Sequence, residues 1–516
     1  MTVTAFRLEN FMAFRDTGWI ELRSITLLFG RNSSGKSVLI RALRLLKQSF
    51  ENNAILKIND EYGVELGEES DIYHGDYDKE FFSKDEKAKN QSMLPTLRFG
   101  FRVRLDGDFN SQLASLIRAH CQITDHEIDQ GSLLEQDEVQ LTLGIRWDYR
   151  EGFYLADFEL GCAAGIIFAA ERFLDADLIK TIGIWGFETS VLHSYEEEGG
   201  ERLWANLEIA PSPGTPMLPY LSFDQNKSDY TDEALDECLK LSRIIEGAKA
   251  SICEFLAGIV YVRPVRPLPE LVYSFDLHTQ EKWNKLGWAG YYQFLHPPID
   301  TADAELIDHW IQRCELGEKV VVERSFSFLN TGDSIIEVES NGAIRRLSNV
   351  GFGVSQLLPV IVESILASEN SLVIIEQPEL HLHPKAQAEV ANMFIDASAR
   401  NKCRFLVETH SENILYRLRL FIAETNLRSL IEERQMRDTY EYVTGCDVSE
   451  KQVAVYFVNR PDGNSTSLAM KININKSGEY LELPKEFKTI FADDTRALMQ
   501  ITDAVFRAET LQSKKR

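Results

Sequence analysis

The segment Gly30-Arg31-Asn32-Ser33-Ser34-Gly35-Lys36-Ser37 fits the spacing G-x-x-x-x-G-K-[ST] of a phosphate-binding loop. Gly30 and Gly35 permit the tight turn and the close approach of backbone to a ligand. The loop backbone around Asn32, Ser33 and Ser34 and the start of the next helix turn N–H groups toward phosphates. Lys36 neutralises β and γ oxygens, and the Ser37 hydroxyl ligates Mg²⁺. The chemistry calls for ATP and Mg²⁺ as cofactors. Three further groups follow. The apolar run SLVII ends in Glu376-Gln377-Pro378-Glu379, which places Glu376 as a Mg²⁺ ligand and acidic groups where a water-activating base is needed. Upstream, Gly351-Phe352-Gly353-Val354-Ser355-Gln356 opens a helix, where two glycines at an N-terminus suit an anion; the plain alternative is a turn and a capped helix. Downstream, His410 ends CRFLVETH and is placed to sense a γ-phosphate.

The elements that must hold these residues are strands and helices in alternation. Residues 1 to 30 predict two strands, a turn and a buried strand, SITLLFG, that runs into the glycine loop. VLIRALRLLKQSF has helical apolar spacing. From about 55 to 93 the chain is acidic and apolar-poor, which predicts an exposed insertion. TLRFGFRVRL, VQLTLGIRWDY, FYLADFELG and RLWANLEIA predict an antiparallel subdomain between about 95 and 225. A long helix over about 231 to 257 runs into the strand IVYVRP. Leu306, Trp310 and Cys314 predict a helix over 302 to 316 with Gly317 as its stop. After the strands KVVVERSFSF, SIIEVES and AIRRL, the order is helix, strand SLVIIE, helix, strand CRFLVETH, helix. This is an α/β reading of nucleotide-binding kind. QVAVYFVNR and SLAMKININ flank Asp462-Gly463, a hairpin signal, and an acidic helical end follows.

The set GRNSSGKS, NVGFGVSQ, IIEQPELHLHP and LVETHSENIL resembles the ABC-type ATPase heads of the SMC, Rad50 and OLD group. It is most similar to a prokaryotic subgroup with a small uncharacterised C-terminal domain, represented by Septu-type anti-phage ATPases, including those attached to retrons. The resemblance spans about 1 to 50 and 255 to 500, and nothing specific is matched over 55 to 250. It implies an ABC-type head with a mixed sheet and flanking helices, divided as 1–54 (Walker A lobe), 55–254 (insertion), 255–425 (signature, Walker B and His410) and 426–516 (small C-terminal domain). It also implies a homodimer or higher even oligomer in which each Walker A faces the other subunit's signature segment, with Gly351, Gly353 or Ser355 at the opposing γ-phosphate. Two departures stand out. NVGFGVSQ replaces the usual serine followed by two glycines, and Glu376-Gln377 replaces the usual aspartate and catalytic glutamate. An amide accepts no proton as a carboxylate does. Glu379 or a water-positioning Gln377 must then support hydrolysis, or turnover is slow.

Composition narrows the classes. In 516 residues there are 55 Lys and Arg against 80 Asp and Glu, a net charge of −25. That field opposes non-specific DNA binding, although nucleic acid remains accessible through a complex. No run approaches the roughly 18 apolar residues of a spanning helix. The charged first twenty residues do not read as a secretory signal, so a cytoplasmic protein without a membrane partner is expected. The seven cysteines lack C-x-x-C spacing and read as reduced core residues. No heptad pattern for a coiled-coil arm persists. His381 and His383 lie two apart without a visible third ligand. Arg263 and Arg266 fall where heads of the resembled group couple nucleotide to the rest of the protein. The stretch after His410 shows no nuclease constellation, so the resemblance implies an effector in a separate chain, an HNH-type nuclease, in anti-phage defence. The alternatives are an SMC- or Rad50-like repair or tethering ATPase and a nearly non-hydrolysing ATP-locked scaffold.

Overall fold

The computed structural model describes residues 1–51, 96–107, 109–114, 137–148, 152–162, 165–173, 178–182, 210–212, 215–220, 232–266, 268–274, 294–295, 299–326, 332–430, 447–461 and 466–484. The acidic stretch from 55 to 93, most of RLWANLEIA, the Asp462-Gly463 turn and the acidic end with Asp493 and Asp494 lie outside the described residues.

Strand β1 (Thr2–Phe11) pairs antiparallel with the short β2 (Phe14–Asp16) and β3 (Ile20–Glu21). Strand β4 (Ile25–Gly30), buried at every residue, leads through the glycine loop into helix α1 (Lys36–Glu51). Strand β5 (Leu97–Arg104) then takes the other edge of β1. Strands β6 (Glu138–Asp148), β7 (Gly152–Cys162), β8 (Gly165–Phe173) and β9 (Leu178–Ile182) follow in antiparallel succession, completing an eight-stranded sheet. The strands of the 55–254 stretch thus continue the sheet of the N-terminal lobe, because β1 offers an open edge of backbone donors and acceptors. A hairpin of β10 (Ala210–Ser212) and β11 (Thr215–Tyr220) precedes α2 (Asp232–Ala257) and β12 (Ile259–Val262). Strands β13 (Tyr273–Ser274), β14 (Lys319–Phe326), β15 (Gly332–Ser340) and β16 (Ala343–Arg346) form a four-stranded antiparallel sheet. Helix α3 (Thr301–Arg313) lies just before β14.

The remaining elements are α4 (Phe352–Ile365), β17 (Leu372–Glu376), α5 (Pro384–Asn401), β18 (Arg404–Glu408), α6 (Glu412–Leu430), β19 (Val453–Asn459) and β20 (Leu468–Ile472). The central sheet runs β12-β17-β18-β4-β19-β20, with its first five strands parallel and β20 antiparallel to β19. The α/β architecture expected from the strand and helix alternation is present. The strands after residue 426 are the fifth and sixth of the sheet that carries the glycine loop. Parallel strands buried on both faces read as continuous apolar runs, and successive side chains here enter different cores. Leu28, Ile374, Leu406, Tyr456 and Val458 face α1, α2 and the eight-stranded sheet. Leu27, Phe29, Val373, Ile375, Phe405, Val407 and Phe457 face the side of α3 to α6.

Helix α3 ends at Arg313, and the left-handed residue after it is Glu315 at φ 58°. Gly317 serves close packing instead: a Cβ there would lie 2.7 Å from the Val338 side chain. The described cysteines Cys162, Cys253, Cys314 and Cys403 are free thiols. Among the described residues no helix is long and apolar enough to cross a membrane.

Glu363 on α4 is 1% exposed, and its Oε1 has no hydrogen-bond partner among the described residues. Burial pushes its carboxyl up to about 8. The folded chain keeps a proton that the unfolded chain releases in the ordinary carboxylate range, so stability falls as pH rises from there toward about 8. Denaturant midpoints measured across that window should decline in the parent chain, and Glu363→Gln should remove that share of the decline.

Candidate functional site

The site stands at the carboxyl ends of β4, β18 and β17, where parallel α/β sheets present their loops. Leaving β4, the chain turns at Gly30 with φ 152°, and a Cβ there would fall 2.0 Å from the Val458 carbonyl oxygen of β19. Asn32 and Ser33 are exposed, Ser33 with φ 60°. Ser34 is buried, and its hydroxyl has no partner among the described residues. Gly35, at φ 107°, holds a backbone conformation that side-chain-bearing residues rarely adopt, and a Cβ there would lie 3.1 Å from the Ser467 hydroxyl and 3.2 Å from the Phe14 ring.

Lys36 opens α1 and is 3% exposed. Its Nζ donates to the carbonyls of Gly30 at 3.0 Å and Arg31 at 2.9 Å, and lies 3.7 Å from Glu408 Oε1. Burial pulls its pKa below the ordinary lysine value, while Glu408, Glu376 and Glu379 oppose that pull. Ser37 Oγ donates to Glu408 Oε2 at 2.9 Å. Burial, then the nearby Glu376, raises the Glu408 carboxyl, against Lys36 and the Ser37 hydrogen bond.

Glu376 ends β17 and Glu408 ends β18, and the two are paired in register. The Tyr261 hydroxyl donates to Glu376 Oε1 at 2.7 Å, and the Arg44 guanidinium sits 3.8 Å from the Tyr261 ring centroid. Gln377 adopts a left-handed φ of 48°, and its N–H donates to the Glu408 carbonyl at 2.7 Å. Both Glu379 oxygens are engaged: Oε2 accepts from the Thr409 hydroxyl at 2.8 Å and Oε1 from the His410 N–H at 2.7 Å. This ties the loop after β17 to the end of β18. Burial raises the Glu379 carboxyl against these donors. Burial, then Lys36, lowers the His410 imidazole below the ordinary histidine value, which favours its neutral form.

Gly351 caps α4 in open space. Gly353 packs on the His381 carbonyl, Leu316 and Leu382, none of them in the glycine loop. Ser355 Oγ donates back to the Phe352 carbonyl at 3.1 Å. His381 faces the Phe352 ring, and His383 Nε2 lies 3.2 Å from Glu315. The structure therefore gathers the Walker A residues with Glu376, Glu379 and His410, and sets Gly351, Gly353 and Ser355 on a separate helix start. Arg266 connects the two. It is buried, and its guanidinium donates to the carbonyls of Glu376 at 2.8 Å and Gln377 at 3.3 Å. The Gln356 amide of α4 holds the Arg266 backbone through both N–H and carbonyl.

Glu408, Tyr261, Arg44 and Gln356 are site residues that motif spacing missed. Glu408 carries the same signal as Glu376, an acid closing an apolar strand. The Ser34 hydroxyl, orphaned among the described residues, the Ser37 hydroxyl, Lys36 and a loop whose Gly30 admits no side chain fit a bound phosphate with Mg²⁺. Mg²⁺ when bound supplies charge neutralisation at the β and γ oxygens.

The family described as an AAA ATPase domain has a model that matches residues 1–130 and 295–415. Those stretches include every candidate site residue read from the motifs, and they reach into the 55–250 stretch, where the sequence alone shows no specific resemblance. No curated protein matches the chain. Similar solved structures include an SMC head bound to the C-winged helix domain of ScpA, at 10% identity over 92% of this chain and 99% of that chain, with TM-score 0.41. The SMC head domain from Thermotoga maritima is 10% identical over 92% and 100%, with TM-score 0.36. An Smc head domain with an extended coiled coil, bound to the C-terminal domain of ScpA and derived from Pyrococcus furiosus, is 11% identical over 92% and 96%, with TM-score 0.36.

Gly30→Ala should push the loop off β19 and strain the backbone, at a cost of about 1–3 kcal/mol. A lowered denaturant midpoint together with weakened binding of a fluorescent ATP analogue is the expected result.

Proposed function

We propose that the chain is an ABC-type ATPase of the SMC and Rad50 kind that binds ATP with Mg²⁺, turns it over slowly and dimerises around the nucleotide. In this reading it controls a separate effector, an HNH-type nuclease, in prokaryotic anti-phage defence, acting in the cytoplasm as a homodimer or higher even oligomer. The observation that carries the ATPase reading is Lys36, buried at the mouth of the glycine loop beside strand-end carboxylates. Lys36 and the loop N–H groups bind the phosphates, Ser37 and a strand-end carboxylate hold Mg²⁺, and His410 senses the γ-phosphate. Gly351, Gly353 and Ser355 serve the nucleotide of the opposing subunit, in keeping with the open space at Gly351.

Slow turnover follows from Gln377. Its amide orients water but takes up no proton, and the one carboxylate nearby in the loop, Glu379, spends both oxygens on Thr409 and His410. The same feature favours a second reading, an ATP-locked scaffold with almost no hydrolysis. The defence role rests on the resemblance of the motif set to Septu-type ATPases. Its support is the four motifs together.

ATP hydrolysis by the purified chain, with and without the proteins encoded beside it, tests these readings. Low turnover abolished by Lys36→Ala is expected, and Gln377→Glu should raise it by about 100-fold. Tight ATP binding without turnover in either background selects the scaffold. Failure of the parent chain to bind ATP removes the ATPase reading. Co-purification of a nuclease with the chain tests the effector, and an ATP-dependent doubling of mass in light scattering tests the dimer.

A further inference from the structure

A cavity of about 500 Å³ opens between α3, α5 and α6, and no residue of the glycine loop or of the strand ends lines it. We propose that this cavity binds a guanidinium group, the head of an arginine side chain, between Asp396 and Glu305, with the alkyl stem on Leu306 and Phe421. The site is separate from the nucleotide site and stands whether or not ATP binds there.

Helical spacing builds the walls. On α3, Leu306 and Trp310 stand one turn apart, and so do Glu305 and His309, which brings these side chains to one face. On α5, Asn392 and Asp396 are likewise one turn apart, and Phe421 comes from α6. Trp310 and Phe421 are buried, Leu306 and Asp396 half-buried, and Glu305 exposed at the mouth. Apolar walls with a few polar groups, enclosing roughly 300–1,000 Å³, are the usual make-up of a small-ligand site.

The unmatched groups of the lining are acceptors. Asn392 is 8% exposed, and its Nδ2 donates to Glu389 Oε2 at 2.8 Å, which fixes the amide. Its Oδ1 has no hydrogen-bond partner among the described residues. A buried acceptor left in that state is costly, and a donor brought by a ligand relieves it. Neither Asp396 nor Glu305 has an ion-pair partner among the described residues. Arg313, a cation of the lining, is already engaged: its Nε donates to Glu389 Oε2 at 2.7 Å, and its guanidinium lies 5.6 Å from the Trp310 ring centroid. That arrangement shows this wall accepting a guanidinium beside a carboxylate. The complementary ligand is therefore a cation rich in donors with an apolar body. A guanidinium carries five N–H donors in one plane and no acceptor, and its weakly hydrated faces and alkyl stem lie against apolar groups. Its fork can address the Asp396 carboxylate and the Asn392 oxygen together, whereas an ammonium is a point charge that holds its water more tightly. The net charge of −25 draws such a cation toward the chain.

The test titrates the full chain, without nucleotide, by ligand-observed saturation-transfer NMR with N-acetyl-arginine amide. Saturable binding to the parent chain is expected. N-acetyl-citrulline amide keeps the shape and loses the charge, and N-acetyl-lysine amide keeps the charge and loses the plane; each should bind about tenfold more weakly or worse. Asp396→Asn should weaken the arginine probe by about tenfold, and Glu305→Gln, at the exposed mouth, by about two- to fivefold. Denaturant midpoints of both variants should stay at the parent's value, which separates a lost contact from a lost fold. Two more ligands distinguish the source of the guanidinium. A blocked tripeptide with a central arginine that binds as tightly as the N-acetyl amide assigns the site to an arginine of a protein partner. Agmatine binding with the tripeptide excluded assigns it to a free guanidine. Equal affinity for the lysine and arginine probes overturns the guanidinium assignment, and parental affinity in Asp396→Asn overturns its placement. A parent chain that binds none of the guanidinium probes overturns the site.

Discussion

An ammonium group taken out of water costs several kcal/mol unless partners replace its hydration. Lys36 is such a group, and its partners come from different parts of the chain: two loop carbonyls and the carboxylate at the end of β18. For these to meet, β4 and β18 must lie side by side in one register, and β17 must end level with them. That register is held by apolar residues entering two cores in turn. A slip of one residue would send every side chain of a strand to the wrong core. The charge at the centre of the site and the packing of the sheet thus constrain each other.

Around that centre the hydrogen bonds form a chain of rigid links. Gln356 fixes the Arg266 backbone, Arg266 fixes the backbone of Glu376 and Gln377, and Gln377 fixes the end of β18. Glu379 adds a second link to Thr409 and His410. The start of α4, which carries Gly351 and Gly353, is therefore mechanically continuous with the strand ends that face Lys36. Phe352 at that start is exposed and faces His381 of the loop that follows β17. A load applied to the helix start reaches the strand ends through few bonds.

The glycine loop, its flanking strand and helix, and the acids and histidine at later strand ends were legible because each is written in consecutive residues. So was the α/β alternation. Glu408 was not, although its letters stand in LVETH, since its meaning depends on which strand lies beside β4. Tyr261 and Arg44 act across the sheet, where local pattern carries no information, whereas Arg266 was singled out by the resemblance but its partners, the Glu376 and Gln377 carbonyls, were not. The partner of β1 was likewise hidden, for any exposed strand edge presents the same donors and acceptors. The position of β19 beside β4 is a tertiary fact as well: its apolar run suits any doubly buried strand. At α3, the glycine that suggested a helix stop answers to a neighbour in β15.

The pairing of β19 with β4 has a consequence for how the protein is made. The Glu21 N–H bonds the Tyr456 hydroxyl across 435 residues of chain, and the wall behind Gly30 is a carbonyl of that same late strand. At about 5–20 residues per second of synthesis, the nascent chain carries a finished glycine-loop sequence for roughly 20–90 s before the strand that backs it exists. During that interval one edge of β4 is open, and the loop lacks one of the surfaces that shape it. The surface that backs Gly30 is complete only once Val453–Asn459 have been made and paired with β4.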